Sequence, residues 1–140
     1  AAGLPVGKLL GGMGRSNVQA YASSINWTDD AGVEREIGAA VAAGFTQIKV
    51  KIGRPVERAM QRIRFARKLS GDGIGLSVDA NWAYDVDEAV QVGRVLDACG
   101  YLWFEEPVRP EDEAAYRMLR AKLDTRLAAG ESDFTAGDAL

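Results

Sequence analysis

Five short apolar runs recur along this chain at a nearly regular distance from one another. They cover residues 18–22, 46–52, 75–78, 101–104 and 126–129, and each is rich in β-branched, aromatic or small apolar residues. Runs of this length and composition are typical of buried strands. The segments between them have apolar residues at helical spacing. Strands and helices that alternate in this way predict a parallel sheet covered by helices.

The four intervening segments carry the start and stop signals of helices. Asp85, with Glu88 three residues later, predicts a capping box ahead of the third helix, and Gly44 suits the position just after the first helix. Pro55 and Pro110 are placed to open the second and fourth helices. The residues predicted to face the core are Val33, Ile37, Ala40 and Val41 in the first helix, Val56, Ala59, Ile63, Ala66 and Leu69 in the second, Ala89, Val92 and Leu96 in the third, and Ala114, Met118 and Leu119 in the fourth.

A polar residue closes each apolar run, and these residues repeat at steps of 28, 28, 26 and 26. They are Ser23, Lys51, Asp79, Glu105 and Glu131. The step is close to one strand–helix unit, which takes about 30 residues. The repeat therefore predicts all five side chains at the carboxyl ends of successive parallel strands. Barrel and open-sheet α/β enzymes build their active sites at those ends.

Composition limits what such a site could hold. The 140 residues include no histidine and one cysteine, Cys99, so a Cys/His zinc site and an internal disulfide are both excluded. Any metal must be bound by oxygen ligands, which favours Mg²⁺, Ca²⁺ or Mn²⁺. The net charge is −3 with the two signs interspersed, and no apolar run is long enough to span a bilayer. We therefore expect a cytoplasmic protein without a nucleic-acid or membrane partner.

Lys49 and Lys51 belong to one predicted strand and point to the same face, because side chains alternate with period two. Two ammonium groups inside a barrel are costly unless carboxylates or a metal-bound anion lie nearby. Asp79, Glu105 and Glu131 would supply that negative charge. Each residue alone has an ordinary explanation as an exposed lysine, a helix cap or a turn residue. Their regular spacing favours a functional cluster.

Four motifs, taken in order, resemble the mandelate racemase branch of the mandelate racemase/muconate lactonizing enzyme family in the enolase superfamily. They are Lys-Val-Lys-Ile-Gly at 49–53, Val-Asp-Ala-Asn at 78–81, Trp-Phe-Glu-Glu-Pro at 103–107 and Ala-Gly-Glu at 129–131. No single motif is specific, but the ordered set is. The similarity covers nearly the whole chain, from Gly-Leu-Pro-Val at 3–6 onward.

This resemblance implies a partial (β/α)8 barrel of the TIM type, with about five parallel strands present and the C-terminal strands missing, since the full fold takes about 250 residues. Residues 18–140 would form the catalytic barrel domain. Residues 1–17 would be an N-terminal segment that remains after a separate capping domain. We therefore expect a longer parent protein that forms a homo-oligomer, and we expect the 140 residues alone to be inactive.

The resemblance also implies a role for each candidate site residue. Lys51 would be the general base, and Lys49 would hold the substrate carboxylate and favour the neutral form of Lys51. Ser23 and Asn81 would contact the substrate. The ligands of one Mg²⁺ ion would be Asp79, Glu105 and Glu131.

The activity implied by the family is removal of the proton α to a carboxylate, which produces an enediolate. The substrate would be a small carboxylate, either an acid sugar or a 2-hydroxy acid, and we expect dehydration of a sugar acid. Racemisation or epimerisation is the alternative, because the enediolate can be reprotonated on its other face. The family's histidine–aspartate pair would come from later strands, and this chain has no histidine.

Two other interpretations stay open on the sequence alone. The chain could be a catalytically inert half-barrel or interaction module, whose open strand edges would need a partner. It could also be a Schiff-base aldolase that uses Lys51 as nucleophile. A dinucleotide-binding domain is disfavoured, because the glycine-rich stretch at 11–14 does not follow a predicted strand.

Overall fold

The computed structural model describes residues 2–12, 14–26 and 28–135. Ala1, the first residue of the predicted N-terminal segment, and residues 136–140, the last of the predicted barrel domain, lie outside these ranges. In chain order the elements of the described part are α1 (Val6–Leu9), β1 (Ala22–Ile25), α2 (Asp30–Ala42), β2 (Gln47–Lys51), α3 (Val56–Ser70), β3 (Gly75–Asp79), α4 (Val86–Ala98), β4 (Trp103–Glu105), α5 (Glu113–Lys122) and β5 (Arg126–Ala128).

The strands form one parallel sheet whose spatial order, β1-β2-β3-β4-β5, is the order in the chain. A doubly wound sheet reverses its strand order at a switch point, and the strands of the described ranges show no such reversal. Sequential parallel strands with a helix between neighbours are the arrangement of a (β/α) barrel. The predicted fold class, a partial barrel with five parallel strands, is confirmed.

The main core lies between the sheet and helices α2 to α5. Ile48 and Val50 of β2 and Leu76 and Val78 of β3 are completely buried in it. Burial of an aliphatic side chain of this size contributes roughly 1.5–3 kcal/mol. Because side chains alternate along a strand, the same packing turns both lysines of β2 to the opposite face of the sheet. The apolar contacts therefore determine which face is polar.

Two of the predicted helix signals are confirmed. The Asp85 side chain accepts from the backbone N–H of Glu88, and the Glu88 side chain accepts from the backbone N–H of Asp85, which completes the capping box of α4. Gly44 follows the last residues of α2 with φ +86°, a conformation that glycine adopts without the steric cost of a Cβ atom.

The predicted starts of two other helices need correction. α5 begins three residues after Pro110, and Asp112 is its N-cap, whose carboxylate accepts from the N–H of Ala115 at 2.9 Å. A proline has no side-chain acceptor for this role, whereas aspartate has one. Pro55 is itself the N-cap of α3, so that helix starts one residue later, at Val56.

The predicted apolar faces of α2 and α5 were too wide. Val41 is 43% exposed and Met118 is 46% exposed, and Ala114 is exposed as well. At 100° per residue, a helix that packs on a sheet buries only a central stripe, and these three positions lie at its edges. The buried apolar residues of α5 are Ala115 and Leu119.

The first strand lies further along the chain than the apolar run at 18–22 predicted. Val18 is 84% exposed, and β1 begins at Ala22. Pairing decides the position, because Ala22 lies opposite Ile48 and Ile25 opposite Val50. This register buries Ile25 in the core. Ser23 therefore lies inside the strand and does not follow it.

The residues before β1 contain little regular structure. α1 consists of four residues, none of them buried. The division of the chain at residues 17 and 18 stays a prediction. None of the helices in the described ranges combines the length and the apolar character that crossing a membrane requires.

Candidate active site

Lys51, Asp79 and Glu105 are the last residues of three neighbouring strands and lie side by side. The sheet register places Lys51 opposite Asp79 and Asp79 opposite Glu105. Glu131 follows β5 in the next turn. One carboxylate oxygen from each of the three acids lies within 4.8 Å of the others. The structure therefore brings together at one edge four of the five residues that the regular spacing singled out.

Both lysines of β2 are paired with these acids. Lys49 Nζ lies 2.7 Å from Glu105 Oε1 and 3.3 Å from Asp79 Oδ2, and Lys51 Nζ lies 2.5 Å from Asp79 Oδ2. The two side chains differ in accessibility, since that of Lys49 is 9% exposed and that of Lys51 is 32% exposed. Lys49 is thus enclosed by carboxylates, whereas Lys51 is open to the mouth of the sheet.

The charges of the cluster hold its buried members ionised. Burial alone would lower the pKa of Lys49, but the hydrogen bond to Glu105 and the charges of Asp79, Glu105 and Tyr21 together outweigh burial and raise it above 10.5. Burial alone would raise the pKa of Asp79, but the hydrogen bond and charge of Lys51, with smaller contributions from Asn81 and Lys49, lower it below 3.8. An ammonium and a carboxylate at contact distance each favour the charged form of the other.

Asn81 connects the two ends of the cluster. Its side-chain oxygen accepts from Lys51 Nζ at 2.7 Å, and its Nδ2 donates to Glu131 Oε1 at 2.9 Å. Its backbone N–H donates to Asp79 Oδ1 at 3.1 Å. The backbone of Asn81 has a φ of +43°, which asparagine tolerates better than most residues. Asn81 therefore lies among the lysine and the acids of the cluster, and its proposed contact with the substrate stays a prediction.

Ser23 does not join the cluster. It lies exposed within β1, and among the described residues it makes no hydrogen bond with the lysines or the acids. The reason is the register of β1, which starts four residues later than predicted. The proposed substrate contact of Ser23 stays a prediction.

Glu106 is a member of the site region that the sequence analysis missed. Its side chain is completely buried, and its backbone has φ +42°. Burial first, and then the charge of Glu131, raise its pKa above 4.5. Neither of its carboxylate oxygens has a hydrogen-bond partner in the described part of the chain. Glu106 could not be predicted for two reasons. Side chains alternate along β4, so the residue after Glu105 is expected on the opposite face of the sheet. In addition, no sequence pattern predicts a positive φ at a glutamate.

Replacing Glu106 with glutamine is expected to stabilise the Mg²⁺-free protein at neutral pH by on the order of 1 kcal/mol. Burial and the charges of Glu131 and Asp79 raise the pKa of Glu106 when the protein folds. An acid with a raised pKa costs stability as the pH rises from its ordinary 4.5 through the raised value, and the loss persists above it. Glutamine has nearly the same size and does not ionise, so it avoids the cost of a buried carboxylate whose oxygens have no hydrogen-bond partner among the described residues.

Urea unfolding at pH 7 and at pH 4 measures this effect. The variant should be more stable than wild type at pH 7, and the difference should shrink at pH 4, where the wild-type carboxyl is largely protonated. A variant that is no more stable at pH 7, or a gain of the same size at both pH values, would contradict the explanation.

The donor set of the cluster fits a hard divalent cation. Three carboxylate oxygens that converge within 4.8 Å are the ligand type that Mg²⁺, Ca²⁺ and Mn²⁺ prefer. Three protein ligands also leave coordination positions for a substrate oxygen or water. Asp79, Glu105 and Glu131 are therefore the residues in the described part of the chain that would hold such an ion.

Comparison with known proteins agrees with this architecture. The profile of the enolase C-terminal domain-like family matches residues 32–140. The chain belongs to this family. It is 38% identical over 136 residues to D-galactarolactone cycloisomerase from Agrobacterium fabrum. The aligned region covers 93% of this chain and 35% of that relative. It is 35% identical over 133 residues to L-talarate/galactarate dehydratase from Salmonella typhimurium. The aligned region covers 93% of this chain and 33% of that relative.

Solved structures of enolase-superfamily proteins share the fold. L-talarate dehydratase from Polaromonas sp. JS666, crystallised with Mg and L-glucarate, superposes with a TM-score of 0.86 at 30% identity, over 95% of this chain and 38% of that chain. The predicted membership of the enolase superfamily is confirmed, and relatives include dehydratases, cycloisomerases and epimerases. The 140-residue chain spans about a third of the length of the curated relatives it matches.

Proposed function

We propose that the protein carrying this chain is a Mg²⁺-dependent enzyme of the mandelate racemase branch that removes the proton α to the carboxylate of an acid sugar or 2-hydroxy acid. The observation that carries the proposal is the convergence of Asp79, Glu105 and Glu131 within 4.8 Å, next to Lys51. The site lies at the carboxyl ends of parallel strands, where barrel enzymes carry out their chemistry.

The proton in question is very weakly acidic, because its loss adds negative charge to a group that is already an anion. A bound Mg²⁺ supplies positive charge that offsets the charge developing on the substrate carboxylate oxygens. Asp79, Glu105 and Glu131 would hold this ion.

The two lysines have environments that suit different roles. Lys49 is nearly buried between Glu105 and Asp79, and its raised pKa keeps it charged. A permanent cation suits binding of the substrate carboxylate. Lys51 is about one third exposed, so its Nζ can reach a substrate at the mouth. We assign Lys51 as the base that receives the α-proton at Nζ, because it is the accessible amine beside the acids.

Asn81 would hold the side chains of Lys51 and Glu131 in a fixed position relative to each other and to the substrate. It contacts both side chains, at 2.7 Å and 2.9 Å. An amide that accepts from one partner and donates to the other fixes the relative position of base and carboxylate.

Dehydration is the overall reaction that we propose. After Lys51 takes the α-proton, the electron pair forms a carbon–carbon double bond and the β carbon–oxygen bond breaks. The leaving hydroxide takes a proton from a general acid, which the family resemblance assigns to later strands, and departs as water, and the enol that remains tautomerises to a 2-keto acid. Support comes from the 35% identity with a talarate/galactarate dehydratase. Racemisation or epimerisation is the second candidate, supported by epimerases among the relatives. Both begin with the same proton transfer.

Incubation of the purified full-length protein that carries this chain with a panel of acid sugars and 2-hydroxy acids in D₂O tests the proposal. We expect Mg²⁺-dependent exchange of the α-proton for deuterium in at least one substrate, with formation of a 2-keto product if the reaction is dehydration. EDTA should abolish both. Exchange at full rate in EDTA, or trapping of Lys51 by borohydride with a keto substrate, would overturn the proposal in favour of Schiff-base chemistry.

The inert interpretation has its own test. A folded protein whose heat of mixing with millimolar Mg²⁺ shows no binding would support a half-barrel that serves as an interaction module. A homo-oligomeric parent protein, a cytoplasmic location and the inactivity of the 140 residues alone stay predictions.

A further inference from the structure

Trp103 and Glu105 lie on the same face of β4, two residues apart. The indole Nε1–H of Trp103 donates to Glu105 Oε2 at 3.2 Å. Lys49 Nζ donates to the other oxygen of the same carboxylate, Oε1, at 2.7 Å. Each oxygen of Glu105 therefore has its own donor, and the two donors approach from different strands.

Tyr21 packs against the indole of Trp103. Its ring meets that of Trp103 edge to face, with centroids 5.3 Å apart and an interplanar angle of 76°. Lys49 Nζ lies 5.8 Å from the centroid of the same tyrosine ring. Edge-to-face aromatic pairs and cations over aromatic rings are both favourable arrangements. Tyr21 thus contacts both donors of Glu105.

We propose that Trp103 is a positioning residue for the cation site, an inference that rests on the proposed function. A carboxylate oxygen has two lone pairs. A donor at each oxygen fixes the rotation of the Glu105 carboxylate and still leaves a lone pair free for a metal ion. A carboxylate that is already oriented loses less conformational freedom when the ion binds. Hydrogen-bond partners of metal ligands typically change metal affinity by about 10- to 100-fold.

Calorimetric titration with Mg²⁺ alone tests the inference in Trp103→Phe, which keeps an aromatic ring against Tyr21 and removes the N–H. We expect the dissociation constant to rise by about 10-fold. Tyr84→Phe is the matched control, because it removes a buried donor that bonds to the Gly53 carbonyl at 2.8 Å and none to the acids. Its affinity for Mg²⁺ should equal that of wild type.

The outcomes separate this inference from the function on which it rests. If wild type does not bind Mg²⁺, both fail. If wild type and Trp103→Phe bind Mg²⁺ equally well, only the role of Trp103 fails. If Tyr84→Phe weakens binding as much as Trp103→Phe, the effect is a general loss of packing, and the inference is also overturned.

A spectroscopic measurement follows the hydrogen bond itself. In protein labelled with ¹⁵N-tryptophan, the indole resonance of Trp103 is identified by its absence in Trp103→Phe. It should shift when Mg²⁺ is added to wild type and also when Glu105 is replaced by glutamine, because the acceptor loses its charge in the second case. A resonance that responds to neither change would overturn the inference, even if the affinities differ.

Discussion

Lys51→Met is expected to lower turnover by about 10³-fold at saturating Mg²⁺, because a general base typically contributes 10²- to 10⁴-fold. Methionine has a similar length but cannot accept a proton. Lys49 lies within 3.3 Å of Asp79 and still offsets the negative charge there, so the fold and the affinity for Mg²⁺ should survive. The rate of α-proton exchange in D₂O, followed by NMR on an acid sugar that wild type turns over, measures the effect directly.

The matched control is Lys68→Met, which removes the same charge from an exposed position on α3. It should exchange and turn over substrate at the wild-type rate. If Lys51→Met keeps more than about a tenth of the wild-type exchange rate, where a base should contribute at least 10², another group removes the proton and the assignment of Lys51 is wrong. A loss of exchange in both variants would point to net charge as the cause.

Asp79→Asn is expected to weaken Mg²⁺ binding by at least about 100-fold, since it removes a charged oxygen ligand from a hard cation. The same change should destabilise the Mg²⁺-free protein by about 2–3 kcal/mol. Removal of one partner of a buried ion pair costs about 3–5 kcal/mol, and the partial exposure of Lys51 places this case below that range. Calorimetric titration with Mg²⁺ and urea unfolding measure the two effects.

The pH dependence of unfolding provides an independent check on Asp79. Its folded pKa lies below the ordinary 3.8. The stability it contributes is therefore present above pH 3.8 and is lost as the pH falls through the lower, folded value. Asp79→Asn should lack this acid-dependent component. Asp72→Asn, which changes an exposed acid before β3, should keep it and bind Mg²⁺ like wild type. If Asp79→Asn and Asp72→Asn bind Mg²⁺ with equal affinity, the assignment of Asp79 as a ligand of the ion is wrong.

The strand ends could be predicted because two local signals agree there. Apolar runs mark where a strand is buried, and the polar residue that ends each run marks its exit. For Lys51, Asp79 and Glu105 the predicted strand end is within one residue of the observed one. In-register parallel pairing then brings consecutive ends together. The cluster follows from periodicity alone once the sheet is parallel and sequential.

Ser23 shows where this reasoning stops. The first strand has only one neighbour in the described sheet, β2, and its position depends on which residue of β2 it pairs with. A run of apolar residues at 18–22 does not encode that choice. The strand forms at Ala22–Ile25 and not at 18–22, because pairing of this later segment with Ile48 and Val50 buries Ile25 in the core.

The sequence by itself determined the order of strands and helices, the face on which the lysines lie and the identity of the acids at three strand ends, since each depends on local spacing. Only the tertiary structure decided the register of β1, the burial of Glu106 and the contact between Trp103, Tyr21 and Glu105. Those features join segments up to 82 residues apart, from Tyr21 to Trp103, or need a backbone conformation that glutamate rarely adopts. Their stability comes from packing between elements, which no local pattern records.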